Sequence, residues 1–374
     1  MKVLFVCDSL GSGGAQKLLV DFALSFDNSI SCDFVILEKE TDRYSSLLKE
    51  AGINVFFLSN KMKSHLFNIK KINEIVKKGE YDLIHVNLFP STYYLSLLKM
   101  VKRDIFPPIV MTEHSTDNRR RHIILFKPIE KVVYSYYDHI VSISEQTQNN
   151  LLEWLGNTNI NKYSVIENGV NLSHYSNAKP YLKSDLTDIV SDDDILIGMI
   201  GSFTPQKNHK NMVKAMSMLP NNYKLALVGE GPLRKEIEDY IVSENNNDRI
   251  AFLGYREDIP SIIKTLDIVV LPSLWEGFGL IAVETMAAGV PIAISNVSGL
   301  REVVGECALA FDPNKPSEIA HIIESALEIK GKERRIQQGI VIAQQFSIER
   351  MRDRYLELFK KIVDSDNKVN TNEA

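Results

Sequence analysis

Two series of short, Val- and Ile-rich apolar runs, each followed by a stretch of helical periodicity, constrain the fold of this chain more than any other feature. Parallel strands buried on both faces read as such runs, and the periodic stretches between them supply the covering helices. The first series predicts strands at Lys2 to Cys7, Asp33 to Leu37, Asn54 to Leu58, Leu83 to Val86, Ile109 to Thr112 and His139 to Ser142. Helices are predicted near 14–26, 43–51, 65–78, 91–102, 122–137 and 145–154. The second series predicts strands at Ile195 to Ile200, Lys224 to Val228, Ile250 to Leu253, Ile268 to Leu271 and Pro291 to Ser295, with helices near 208–218, 232–244, 257–265, 279–288 and 316–329. The polar stretch 172–193, after the turn Asn168-Gly169, reads as the interdomain connection. Right-handed crossovers then make each half a doubly wound α/β domain. A last amphipathic helix, about 347–363, places Met351, Tyr355, Leu358, Phe359 and Ile362 on one stripe that must pack against a core.

The 374 residues suffice for two or three domains, and 44% hydrophobic with 24% charged residues describes an ordinary globular chain. Cys7, Cys32 and Cys307 are too scattered for a disulfide framework or a thiolate zinc site, so a reducing cytoplasm is expected. The apolar start Val3 to Cys7 is too short for a signal peptide. Residues 277–294 approach a membrane span in length but contain Glu284, Gly277, Gly279, Gly289 and Pro291, and read as strand and helix pieces. Residues 1–180 carry 21 basic against 19 acidic groups, and 181–374 carry 22 against 29. The basic excess lies within 61–133, 14 against 7, so that stretch could face an anionic partner.

The segment Pro272-Ser273-Leu274-Trp275-Glu276-Gly277-Phe278-Gly279-Leu280 leads from a strand through a glycine-bearing loop into a helix. Free backbone N–H groups at a helix start bind anions, and glycines let a ligand approach them. Glu276 before the helix and Glu284 inside it could contact different parts of one long ligand, a carboxylate accepting sugar hydroxyls in charge-assisted bonds. Read alone, each could equally be a surface acid. Gly13 and Gly14 follow the first strand, and Gly231 follows a strand of the second series. Neither glycine cluster completes a dinucleotide fingerprint, because Gln16 and Arg234 stand where a third glycine is needed. No spacing of Cys, His or Asp suggests a metal site, and Asp192-Asp193-Asp194 lies in the connection.

Taken in order, GSGGAQKLLVDFA at 11–23, TEHS at 112–115, VIENGV at 165–170, GSFTPQKNHKNMVKA at 201–215, VGEGPLR at 228–234 and the EGFG segment with Glu284 resemble glycosyltransferase family 4 from residue 1 to about 362. The resemblance implies the GT-B fold, two Rossmann-like α/β domains facing a central cleft, with the last helix crossing back to the first. It implies an acceptor-binding domain at 1–178, a sugar-nucleotide-binding domain at 179–345, the returning helix at 346–364 and a polar tail at 365–374. It also implies retaining transfer of a hexose from a UDP- or GDP-sugar to a glycan or lipid-linked hydroxyl in cell-surface polysaccharide assembly. Glu284 matches the acid that holds the ribose. Glu276 matches the acid set against the transferred sugar, with the amides of Gly277, Phe278, Gly279 and Leu280. Lys207 matches the lysine on the diphosphate, and His114 a histidine facing the donor sugar. Ser202 stands where the family commonly has an arginine, leaving Arg234 or Arg256 as candidate substitutes.

No cofactor, metal or nucleic-acid partner is expected. Arg119, Arg120 and Arg121, with the basic stretch from Lys61 to Lys78, form either a solvated face or a contact with an anionic bilayer, which would make this cytoplasmic protein peripheral to the membrane. A sugar-nucleotide epimerase and a non-catalytic glycan-binding protein are the alternatives.

Overall fold

A computed structural model describes residues 1–11, 13–58, 65–101, 106–116, 118–156 and 160–372, without the side chains of His65, Leu66, Arg119, Ile329 and 367–372. Its contacts divide the chain into two compact units, Met1–Gly169 with Ile348–Ala374, and Val170–Ser347.

The first unit runs β1 (Lys2–Ser9), α1 (Gly14–Leu24), β2 (Ser31–Glu38), α2 (Ser45–Glu50), β3 (Asn54–Phe57), α3 (His65–Gly79), β4 (Leu83–Asn87), α4 (Ser91–Val101), β5 (Ile109–Glu113), α5 (Phe126–Ser135), β6 (His139–Ser142), α6 (Glu145–Leu155) and β7 (Tyr163–Val165). The strands form one parallel sheet in the order β3-β2-β1-β4-β5-β6-β7. Every residue of β4 and β5 is buried, the polar His85, Asn87, Thr112 and Glu113 included, as expected of central parallel strands covered on both faces. Local signals agree with the ends: Ser144 caps α6 by accepting from the Thr147 amide at 3.2 Å, and Gly156 ends it in the left-handed region at φ +58°.

The second unit contains α7 (Leu172–Ser176), β8 (Ile195–Ile200), α8 (His209–Met216), β9 (Tyr223–Val228), α9 (Arg234–Ser243), β10 (Ile250–Gly254), α10 (Ile259–Thr265), β11 (Ile268–Leu271), α11 (Leu280–Ala288), β12 (Ile292–Ser295), α12 (Ser298–Val304), β13 (Leu309–Phe311), α13 (Pro316–Leu327) and α14 (Ile329–Ala343). Its sheet is also parallel, ordered β10-β9-β8-β11-β12-β13. In both sheets the first strand of the unit lies between the second and the fourth. Strand order reverses there, at β1/β4 and β8/β11, and the connections splay apart beyond the strand ends to leave room for a ligand.

The division falls at Gly169/Val170, not within the polar stretch 172–193. That stretch is built into the second unit: α7 packs on α10 and α11, the Tyr181 amide donates to Thr265 Oγ1 at 2.9 Å, and Lys183 pairs with Asp267 at 2.7 Å. Polar composition there serves specific hydrogen bonds. The final helix, α15 (Ile348–Asn372), packs on the first unit through Tyr355 and Phe359, whose rings meet Phe22 and His85. It runs through the expected polar tail to Asn372, where no Gly or Pro interrupts it.

Candidate functional site

The C-terminal ends of β8 and β11 carry two loops that are sewn together. After β8 come Gly201, Ser202 and Phe203, then a short 3-10 turn, Pro205–Lys207, that leads into α8. After β11 the chain runs from Pro272 to Gly279 before α11 begins. The Leu274 amide donates to Gln206 O, the Gln206 side-chain amide donates to Trp275 O, both at 2.8 Å, and Asn208 Nδ2 donates to Pro272 O at 3.1 Å. These bonds fix where the two charged side chains meet. Lys207 Nζ donates to Glu276 Oε1, which also accepts from Ser273 Oγ at 2.7 Å. Lys207 retains 20% exposure and Glu276 10%, so the ion pair is largely withdrawn from water yet still reachable.

The start of α11 completes this group. Gly279 stands at its N-cap at φ +81° with no side chain capping the first turn, which leaves the early amides directed at whatever lies before the helix. A side chain at 279 would be strained by that backbone and its Cβ would come within 2.5 Å of Leu300 Cδ2. Phe278 is buried edge-on against Phe346, centroids 5.3 Å apart, and pins the loop. Glu284 lies partly buried on α11, four residues after Leu280 and so on the same helical face.

Gly231 belongs to the adjoining loop after β9. There Phe203 N donates to Glu230 O at 2.9 Å and Leu233 N donates to Phe203 O at 3.0 Å, so the loops after β8 and β9 lie backbone to backbone. Ser202 is exposed at the end of β8. Neither arginine offered to replace the family's usual cation is held beside Lys207 by a described contact. Arg234 pairs with Glu238 at 2.8 Å over the Phe252 ring, and Arg256 pairs with Asp258 in its own turn, holding that carboxyl down to about 2.

In the first unit the structure brings together Asn87 at the end of β4 and His114 just after β5. Asn87 Oδ1 accepts from His114 Nε2 at 2.9 Å, which leaves the ring's Nδ1 as a bare lone pair. Burial lowers the His114 pKa to about 4 and that of His85 to about 3, so both rings are neutral near pH 7. His114 Nδ1, Asn87 Nδ2 and His85 Nδ1 have no hydrogen-bond partner among the described residues, and all three residues line one cavity with Asn168, Met351 and Tyr355. An unused acceptor beside an unused donor matches a neutral hydroxyl or water better than an anion. Gly13 caps α1 in extended backbone, again without a side-chain cap, and Gly14 opens the helix.

The arginine cluster is not the outward basic patch that the sequence suggested. Arg121 and Glu113, each 7% exposed, pair at 3.1 Å, with Tyr134 donating to the same carboxylate. Arg120 pairs at 2.7 Å with the fully buried Glu130 and lies over the Phe89 ring. Both guanidiniums neutralise internal acids, which spacing along the chain could not reveal. The side chain of Arg119 lies outside the described residues, as do residues 59–64 at the head of the Lys61 to Lys78 stretch.

Sequence reasoning also passed over Ser273, Gln206 and Asn87. Ser273 precedes Glu276 by three residues, a spacing that does suggest a local hydroxyl–carboxylate bond. The partnerships of Gln206 and Asn87 span 69 and 27 residues, and nothing local signals them. Among the described residues no group of three His, Cys, Asp or Glu could hold a metal ion.

Sequence models of two families match this chain, Glycosyltransferase Family 4 over residues 12–174 and Glycosyl transferases group 1 over 188–340. The chain belongs to glycosyltransferase family 4. An uncharacterized glycosyltransferase of Methanocaldococcus jannaschii is 32% identical over 72% of each chain. A UDP-Gal:alpha-D-GlcNAc-diphosphoundecaprenol alpha-1,3-galactosyltransferase of Escherichia coli is 26% identical over 71% of this chain and 75% of its own. Among solved structures, Anabaena HepE crystallised with UDP-glucose superposes with a TM-score of 0.82 at 22% identity, over 96% of this chain and all of its own. The fold of this family 4 glycosyltransferase is therefore GT-B, as the sequence resemblance implied.

Proposed function

We propose that this glycosyltransferase moves a hexosyl group from a UDP- or GDP-sugar to a hydroxyl of a glycan or lipid-linked acceptor, with retention at the anomeric carbon and without a metal. The observation that carries the reading is the convergence of Lys207, the Ser273-braced Glu276 and the uncapped start of α11 at the β8/β11 switch point. One cation and a fan of main-chain amides suit a diphosphate, and the carboxylate suits sugar hydroxyls. The UDP-Gal-dependent relative and the UDP-glucose complex of HepE support a sugar nucleotide as donor.

In the proposed reaction the bond from the anomeric carbon to the phosphate oxygen breaks and the acceptor oxygen bonds to that carbon on the same face. The acceptor's proton passes to the departing phosphate oxygen. Lys207 and the amides of Gly277, Phe278, Gly279 and Leu280 stabilise the charge that builds on the leaving diphosphate. Glu276, kept in place by Ser273, accepts from the transferred hexose, and Glu284 from the ribose. Gly13, Gly14, Ser202 and Gly231 offer close backbone approach along the donor. Arg234 and Arg256 keep their own carboxylate partners, so Lys207 acts as the principal cation. His114 offers its neutral Nδ1 to a hydroxyl.

Release of nucleoside diphosphate from a panel of UDP- and GDP-hexoses, with and without a lipid-linked or glycan acceptor and in the presence of EDTA, tests this reading. Acceptor-dependent release that EDTA leaves intact supports it. Conversion of the donor without acceptor would favour an epimerase, and glycan binding without any release a non-catalytic protein.

A further inference from the structure

Beside His114 the first unit holds a buried polar chain that the proposed reaction leaves without a role. His85 and Asn87 stand two residues apart on β4 and so on the same face of the sheet. His85 Nε2 is 2.8 Å from Thr112 Oγ1 on the neighbouring β5, and Thr112 Oγ1 is 2.9 Å from the Tyr355 hydroxyl of α15. All three residues are 3% exposed or less, and among the described residues the two hydroxyls have no further hydrogen-bond partner.

These contacts decide which nitrogen of His85 carries the proton. The buried ring is neutral near pH 7, so it has one N–H and one lone pair. With Tyr355 donating to Thr112 and Thr112 donating to His85 Nε2, both hydroxyl hydrogens are paired and the ring proton sits on Nδ1. With the proton on Nε2, the ring donates to Thr112, and one hydroxyl hydrogen is stranded in a packed interior, which folded proteins seldom tolerate.

His85 Nδ1 is therefore a donor, and the ring lines one cavity with Asn87 and His114. His85 Nδ1, Asn87 Nδ2 and His114 Nδ1 are buried and have no partner among the described residues. The cavity leaves about 10 Å³ to the centre of a water-sized sphere, room for one oxygen. Two donors and one acceptor match an oxygen that accepts twice and donates once. A carboxylate has no hydrogen for His114, and an ammonium has no lone pair for His85.

We propose that this cavity binds one hydroxyl-type oxygen, a water's or a substrate hydroxyl's, which accepts from His85 Nδ1 and Asn87 Nδ2 and donates to His114 Nδ1. His85 is then a ligand-holding residue of the site and not core packing alone. The proposal rests on the glycosyltransferase reading only for the substrate's claim to that oxygen.

Long-range proton–nitrogen correlation spectra of the full chain labelled with nitrogen-15 histidine, at neutral pH, test it without turnover; His85→Gln assigns the ring. His85 is expected as a single tautomer protonated on Nδ1, and that proton should show a cross-relaxation peak to a long-lived water in the ligand-free chain. A peak that persists with UDP and with UDP-glucose or GDP-mannose supports the site with water as its occupant. A peak kept with UDP but lost with one of the hexose donors supports it with a substrate hydroxyl in the water's place. A proton on Nε2 would overturn the proposal, as would an Nδ1 proton with no water peak in the ligand-free chain. If nucleoside diphosphate is released from no donor while the tautomer and the water peak hold, the enzymatic reading falls and this one stands.

Discussion

Lys207 donates to Glu276, and in the proposed reaction the donor's diphosphate would compete with that carboxylate for the same ammonium. Replacing Lys207 with Ala should therefore lower donor-dependent kcat/KM by about 100- to 1,000-fold, the scale of losing one transition-state charge stabiliser. Stability should fall only by roughly 1–3 kcal/mol, since Ser273 and Gln206 remain to satisfy the acid. Steady-state kinetics beside a denaturant titration separates the two effects; full activity in a folded variant would remove Lys207 from the site. The Asn87–His114 pair makes a second claim at this scale. Asn87→Asp puts a carboxylate against Nε2, which favours the imidazolium and raises the His114 pKa from about 4. Turnover in the variant should then fall at a higher pH on acidification than in the parent. Superimposable pH profiles would show that protonation of His114 does not limit the reaction.

Loop backbone matters as much as side chains at the scale of elements. Gly279→Ala must either hold φ +81° with a Cβ pressed on Leu300 or shift the start of α11. A stability loss of about 1–3 kcal/mol is expected, with weaker binding of nucleoside diphosphate by calorimetry, and unchanged affinity would free the α11 amides of their assigned role. Most of these elements were legible because each strand is an apolar run bounded by polar turns. Five were not. β7 and β13 are three-residue edge strands, too short for any periodicity, α7 is a five-residue helix inside the polar stretch read as a connection, α12 carries Gly299 in its first turn, and α14 is broken where Gly331 turns to φ +87°. The candidate site was legible as a strand–loop–helix with two acids. Its bracing by Gln206 and Ser273 was not, because those bonds depend on how the two loops fold together. The inward turn of Arg120 and Arg121 was hidden for a similar reason, since their partners Glu130 and Glu113 are defined by burial.

For the whole molecule, chain order and spatial membership differ: α15 is last in sequence yet packs in the first unit. Phe359→Ala empties space beside His85 and Tyr355 and should destabilise that unit by about 3–5 kcal/mol, read as a lowered unfolding transition. Acid should also weaken the fold. His85 is lowered to about 3, and His114, His139 and His209 to about 4, all chiefly by burial, so the unfolded chain binds more protons as pH drops below about 6.5. The stability these neutral rings allow is present above that pH and is lost as pH falls through their folded values. Asp8, raised to about 6 by burial, works in the opposite sense between about 4 and 6, but it is one group against four. Scanning calorimetry should show the midpoint falling from pH 7 to pH 4; a flat profile would contradict the buried neutral histidines.

Titration calorimetry of UDP and GDP into the parent and the Lys207→Ala variant, in EDTA, bears most directly on the diphosphate site proposed at the end of β8 and β11. Saturable metal-free binding of at least one nucleotide, weakened on the order of tenfold or more by the substitution, is the expected result. Equal affinity in both proteins, or binding that requires a divalent cation, would contradict it.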